Sequence, residues 1–182
     1  MTAPAAVRLI GDPVLRTRAA EVGDVSDPQF RRDGEVLTAT LRDFRARHGF
    51  GRAIAAPQIG IPRRFIVVNL GDGPFLVIDP VITTRSAKTF TMWDDCMSVP
   101  WLLVRLRRHR SVSLEYTDRE GRRQSWQDLD VATSELMQHE VDHLDGVLLV
   151  DRAEDAGAMV AREVFERDPD RFRAEVDYTI AG

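Results

Sequence analysis

The chain has 182 residues, 43% hydrophobic and 30% charged, with a formal net charge of −4. This is enough apolar material for one domain with a real core, and the charge gives no electrostatic reason to expect nucleic acid or an acidic membrane as a partner. No apolar run is long enough to cross a bilayer, the opening MTAPAAVRLIGDP lacks a basic stretch followed by an apolar core, and the lone cysteine, Cys96, excludes an internal disulfide, so we expect a cytoplasmic protein.

In chain order, VSDPQFRRDGEVLTATLRDFRARHG predicts a helix. Ser26 or Asp27 caps it, Pro28 suits its first turn, and Phe30, Leu37, Leu41 and Phe44 fall at helical spacing until Gly49 and Gly51 break it. From Phe65 the pattern turns to short strands: RFIVVNL, FLVIDPVIT, KTFTMW, then SVSLEY and RRQSWQ joined by a turn at Arg119-Glu120-Gly121. Between them, VRLRRHR reads as a strand with one solvated face rather than a polyanion site. In SVPWLLV, the placement expected for Trp101 is in the core rather than at a cleft. A second helix is expected from about Val131 to Asp145, stopped by Gly146. The sequence thus reads as one domain over residues 1–182, with a charged tail from about 153 that holds a short helix and then a loose end. Helix, several strands, helix is the order of an α+β fold with mostly antiparallel sheets.

The second helix carries the chemistry. In SELMQHEVDHLDG, His139 and His143 stand one turn apart on one face, so both imidazoles can reach one metal ion, and Glu140 is placed to move protons for a metal-bound water. Two histidines do not close such a centre, which usually takes three protein ligands. A third histidine in the spacing of one protease class is excluded because Leu149 occupies its position. A glutamate on a following helix remains open, with Glu163 and Glu166 in range. So does Cys96, whose thiolate suits zinc or ferrous iron and whose setting, WDDCMSVP, is unusually polar for an interior strand.

Over roughly residues 8 to 152 the chain resembles peptide deformylases. RLIGDPVLRTRAAEV is similar to the family's N-terminal segment, GRAIAAPQIG to its Gly-x-Gly-hydrophobic-Ala-Ala-x-Gln, DDCMS to its Glu-Gly-Cys-hydrophobic-Ser, and QHEVDHLDG to its Gln-His-Glu-x-Asp-His-Leu. The resemblance implies antiparallel sheets packed around a central metal-binding helix. It implies removal of the formyl group from N-formylmethionyl peptides by metal-bound hydroxide, with Glu140 as general acid and base. Cys96, His139 and His143 would hold one divalent ion, Fe(II) in many relatives, with Zn, Ni or Co as substitutes. The Gln58 amide and the Met97 backbone N–H would steady the oxyanion. A formylated peptide or small N-formyl compound is the expected partner, with transient ribosome contact and neither nucleic acid nor membrane.

Departures from the family pattern bear on the substrate. Ala53 and Asp95 stand where the motifs carry glycine, and Asp94 replaces a glutamate. Arg52 occupies a usually apolar place beside Gly51, and Glu135 lies on the metal-facing stripe of the helix with Ala132, His139 and His143. Gly51, Arg52, Ala53, Asp94, Asp95 and Glu135 are therefore the expected substrate contacts. Arg52 and Glu135 are expected to pair in the pocket or, alternatively, both to turn outward. The alternatives to the deformylase reading are an amidohydrolase for a more polar N-formyl or N-acyl substrate, and a binding module that has lost the chemistry.

Overall fold

The computed structural model describes residues 2–180. Helix α1 runs Pro28–His48, with Asp27 accepting from the Gln29 N–H at its start and Gly49 at φ 77° closing its end. Strands β1 (Ala53–Ala55), β2 (Phe65–Val68) and β3 (Phe75–Arg85) follow, then β4 (Thr89–Asp95), β5 (Leu102–His109), β6 (Val112–Thr117) and β7 (Arg123–Trp126). Helix α2 runs Val131–Leu144. After it come β8 (Met159–Ala161), α3 (Arg162–Arg167) and α4 (Pro169–Arg173). All pairings between these strands are antiparallel, in a five-stranded sheet ordered β1-β2-β3-β6-β7 and a three-stranded sheet ordered β4-β5-β8.

The alternation of β2 explains the layering. Phe65 and Val67 face α1, joining Phe30, Leu37, Leu41, Ile54 and Ile78, whereas Ile66 and Val68 face α2, joining Val77, Leu114, Leu136, Met137, Val141 and Leu144. The larger sheet therefore lies between the two helices. Once α2 has placed these apolar side chains on the sheet, its remaining stripe, with Glu135, His139 and His143, is left for β4 and the segment after it. That second contact positions the site.

Two expectations change and one holds. VRLRRHR is a strand with one solvated face, where Arg107 is exposed, while Val104, Leu106 and Arg108 share the inward face and are buried. Trp101 is 51% exposed instead of packed in the core. The tail is no loose end, because β8 extends the small sheet along β5, with Leu102 opposite Ala161. Beyond it, Phe165 and Phe172 pack on Trp93, whose indole donates to the Phe172 carbonyl at 2.9 Å. Tyr178 meets Phe90 edge-on at 5.2 Å. These aromatic contacts are what the charge-rich tail composition concealed. The turn at Arg119-Glu120-Gly121 forms as expected, with Gly121 at φ 81° and the Asp118 carboxylate accepting from the Glu120 and Arg122 N–H groups.

Candidate metal centre

Helix α2 is capped by Asp130, which accepts from the Thr133 N–H at 2.8 Å. It stops at Gly146, where φ is 74° and an added Cβ would lie 2.8 Å from the Arg16 carbonyl oxygen. Between these ends His139 and His143 stand one turn apart, edge to face, with ring centroids 5.0 Å apart. Cys96 follows β4 directly and brings Sγ to 3.1 Å from His143 Nε2. Ligand atoms of Cys96, His139 and His143 all lie within 4.8 Å of one another, and all three residues are buried. Glu163 and Glu166 are exposed on α3, so neither joins the cluster.

The donor set fits a single divalent ion. One thiolate and two imidazoles are the ligands that zinc and ferrous iron accept. The Ser98 N–H and the Gln58 side-chain amide both point at Sγ, at 3.4 and 3.6 Å. His139 Nδ1 is tied to Asp94 Oδ2 at 2.9 Å, leaving Nε2 to face the centre. Burial works against a charged His139, yet Asp94 and Cys96 hold its pKa well above the ordinary imidazole value. An imidazole made basic in this way binds a metal cation as well as a proton. Burial and the neighbouring His139 push His143 well below that value, keeping it in the neutral form that ligates.

Two groups behind the ligands were not singled out by sequence reading. Arg108 donates to Asp94 and to Asp142, and Arg152 meets Asp142 at 2.6 Å from outside. Burial alone would raise the Asp94 carboxyl, but His139 and Arg108 hold it far below the usual carboxylate range. A signal for Arg108 was present: an arginine in phase with Val104 and Leu106 sits on the inward face and must find a carboxylate. The N-terminal segment also braces the site, with the Arg8 N–H donating to the Gln58 carbonyl at 2.7 Å and the Ile10 N–H to that of Ser98 at 2.9 Å.

Gln58 lies on a 3-10 turn, Ala56–Ile59, closed by Gly60 at φ 85°. Its side-chain Oε1 accepts from the Ala55 N–H at 2.9 Å, which fixes which end of the amide faces Cys96. Among the described residues no acceptor takes the Met97 N–H. Glu140 is 4% exposed, its Oε2 has no partner among the described residues, and burial pushes its pKa up to about 7. A carboxyl poised there accepts and releases protons near neutrality.

In front of the cluster lies a cavity of about 630 Å³, lined by Gly51, Arg52, Ala53, Glu135 and Glu140 among others. The structure pairs Arg52 with Glu135, and Arg52 Nη1 also donates to the Ala132 carbonyl at 2.9 Å. Burial pushes the Glu135 carboxyl up to about 7 against the pull of Arg52. Gly51 at φ 113° packs so closely that a Cβ would meet Met97 and Phe44 side chains at 3.0 and 3.1 Å. Asp94 and Asp95 line the same cavity, and their carboxylates are engaged within the protein: Asp94 by His139 and Arg108, and Asp95 by Arg162 at 2.7 Å. From the tail, Phe165, Tyr178 and Ile180 complete the cavity wall. A larger hollow of about 940 Å³, between α1 and the β6–β7 hairpin, holds no histidine or cysteine.

The family profile described as polypeptide deformylase matches residues 4–158. The chain belongs to the polypeptide deformylase family. It is 36% identical to the peptide deformylase of Thermotoga neapolitana over 157 residues, covering 86% of this chain and 92% of that one. The fold is similar to a peptide deformylase from Synechococcus elongatus solved in complex with actinonin, with TM-score 0.76 and 30% identity over 92% of this chain and 85% of that one. It is also similar to a class I type b peptide deformylase from Acinetobacter baumannii solved with Met-Ala-Ser bound, with TM-score 0.74 and 26% identity over 84% and 99% of the two chains. As expected of deformylases, antiparallel sheets pack around the histidine-bearing helix. The match leaves most of the tail, from residue 159 onward, outside the profile.

Proposed function

We propose that this chain hydrolyses the N-formyl amide of formylmethionyl peptides, with Cys96, His139 and His143 holding one divalent ion. The observation that carries the reading is the convergence of those three buried ligand atoms beside an unpartnered Glu140 carboxylate oxygen. When bound, the ion supplies Lewis acidity and brings the pKa of a water towards neutrality. Ferrous iron is our choice in the cell, with zinc, nickel or cobalt accepted by the same ligands.

The chain's own groups supply the rest. Glu140 takes a proton from the attacking water and delivers it to the amine nitrogen as the C–N bond breaks. Its raised pKa suits both halves of that transfer. The amide N–H groups of Gln58 and the free N–H of Met97 receive the oxygen that gains charge when the formyl carbon is attacked, a kind of donor worth about 3 kcal/mol of barrier each. Asp94 and Arg108 hold His139 in its ligating orientation. The peptide lies in the cavity bounded by Gly51, Ala53 and the tail, where ribosome-borne chains would present their N-termini. The lone buried Cys96 suits a reducing cytoplasm. Among the described residues no helix is long and apolar enough to cross a membrane.

The test is formate release from formyl-Met-Ala-Ser by anaerobically purified, iron-loaded protein. Turnover that falls about a hundredfold or more in Glu140→Ala supports the reading. Turnover indifferent to that exchange overturns it.

A further inference from the structure

We propose that the pocket beside the metal ligands favours N-formyl peptides whose first residue carries an uncharged hydrogen-bonding side chain, a carboxamide above all. The inference rests on the deformylase reading and sharpens its substrate class. Its basis is the ion pair of Arg52 and Glu135 in the cavity wall.

Position comes first. Glu135 stands one helical turn before His139 on the same face, and side chains so spaced are neighbours about 5–6 Å apart at Cβ. When a formyl carbon sits at the ligand cluster, the side chain next to the formamide nitrogen is only a few bonds away. It falls against Glu135.

Chemistry comes second. Glu135 is 1% exposed, and only its Oε1 is engaged, by Arg52 Nη2. Among the described residues no donor reaches Oε2. Arg52 is pinned by Glu135 and by the Ala132 carbonyl, and its side chain is 30% exposed along the cavity. Tyr178 brings a phenol to the same wall from the tail. The pocket thus sets an acceptor beside a donor. A carboxamide offers the complement of both, its NH₂ donating to Glu135 and its carbonyl accepting from Arg52. A cationic side chain would compete with Arg52 for Glu135, and an anionic one would face Glu135 itself. A thioether or alkyl chain covers the pair and gives it no hydrogen bond, which penalises an otherwise good apolar fit.

Two readouts on the nickel-loaded holoprotein test this. One is calorimetric binding of the product peptides Met-Ala-Ser and Gln-Ala-Ser, and the other is kcat/KM for formate release from their formylated forms. The expected result is binding and turnover of the glutamine peptide at least equal to those of the methionine peptide. The Gln-to-Met ratio should then fall about tenfold or more in the double variant Arg52→Ile/Glu135→Ile. That variant exchanges a buried pair for apolar volume, a change that proteins commonly tolerate, and the wild-type comparison needs no variant at all. A tenfold preference for methionine that the double variant leaves unmoved overturns the inference, as does failure of both peptides to bind. Glu140-dependent formate release in those cases leaves the deformylase reading standing. Discrimination between the product peptides without formate release from either formyl peptide has the opposite meaning: the pocket is right and the reaction wrong.

Discussion

Two arginine–carboxylate pairs flank His139, and they differ in what encloses them. Behind it, Arg108 and Asp94 are each 4% exposed at the side chain, and Arg108 is shared with Asp142. In front, Glu135 is equally buried but its partner Arg52 is 30% exposed along the cavity. The closed pair has its carboxylate committed to His139 and its guanidinium to two acids, so it fixes geometry. The open pair has its carboxylate bonded to one arginine only and lies in the wall of the cavity. The same chemistry, enclosed differently, does two different jobs.

The largest expected effect lies in the closed pair. Arg108→Met leaves Asp94 and Asp142 buried without their shared counter-charge, and breaking such a pair from one side costs about 3–5 kcal/mol. Urea unfolding of the metal-free protein measures it. A loss no larger than that of Arg52→Met would erase the distinction between the two sites.

Metal affinity sharpens the contrast further. Asp94→Asn removes the acceptor that orients His139, and loss of such support typically weakens metal binding about 10- to 100-fold. Competition against a chromogenic chelator reads this directly. Glu135→Gln, one turn away but facing the cavity, is expected to change that affinity by no more than about twofold, since it touches no ligand. Equal losses in the two variants would mean that both pairs are supports.

The smallest effect concerns the tail that closes the front of the cavity. Trp93→Phe deletes the indole's bond to the Phe172 carbonyl while keeping most of the aromatic packing, a loss of about 1 kcal/mol. Limited proteolysis should then cut the segment after Arg152 sooner, with the rest of the chain resisting as before. Unchanged cleavage would show that β8 alone secures the tail.

Much of this was legible in the sequence, for identifiable reasons. His139, Glu140 and His143 are three positions on a helix with clear start and stop signals, and the ladder of β-like runs gave the antiparallel sheets. Cys96 was one of two routes to a third ligand until the resemblance favoured it. The long-range partners were not legible. Asp94 finds His139 from 45 positions away and Asp95 finds Arg162 from 67, separations at which local pattern carries no information. The tail misled because its charge-rich composition hid Phe165, Phe172 and Tyr178, three aromatics that dock it. Arg108 was legible only as part of a strand with one solvated face; its buried carboxylate partners were not.

The central claim is that Cys96, His139 and His143 form one metal centre, and cobalt substitution tests it most directly. The account predicts one cobalt per chain with a thiolate-to-metal charge-transfer absorption, lost in Cys96→Ser while the fold, by circular dichroism, is retained. Cobalt bound with no such absorption, or an absorption that survives the exchange, would contradict it.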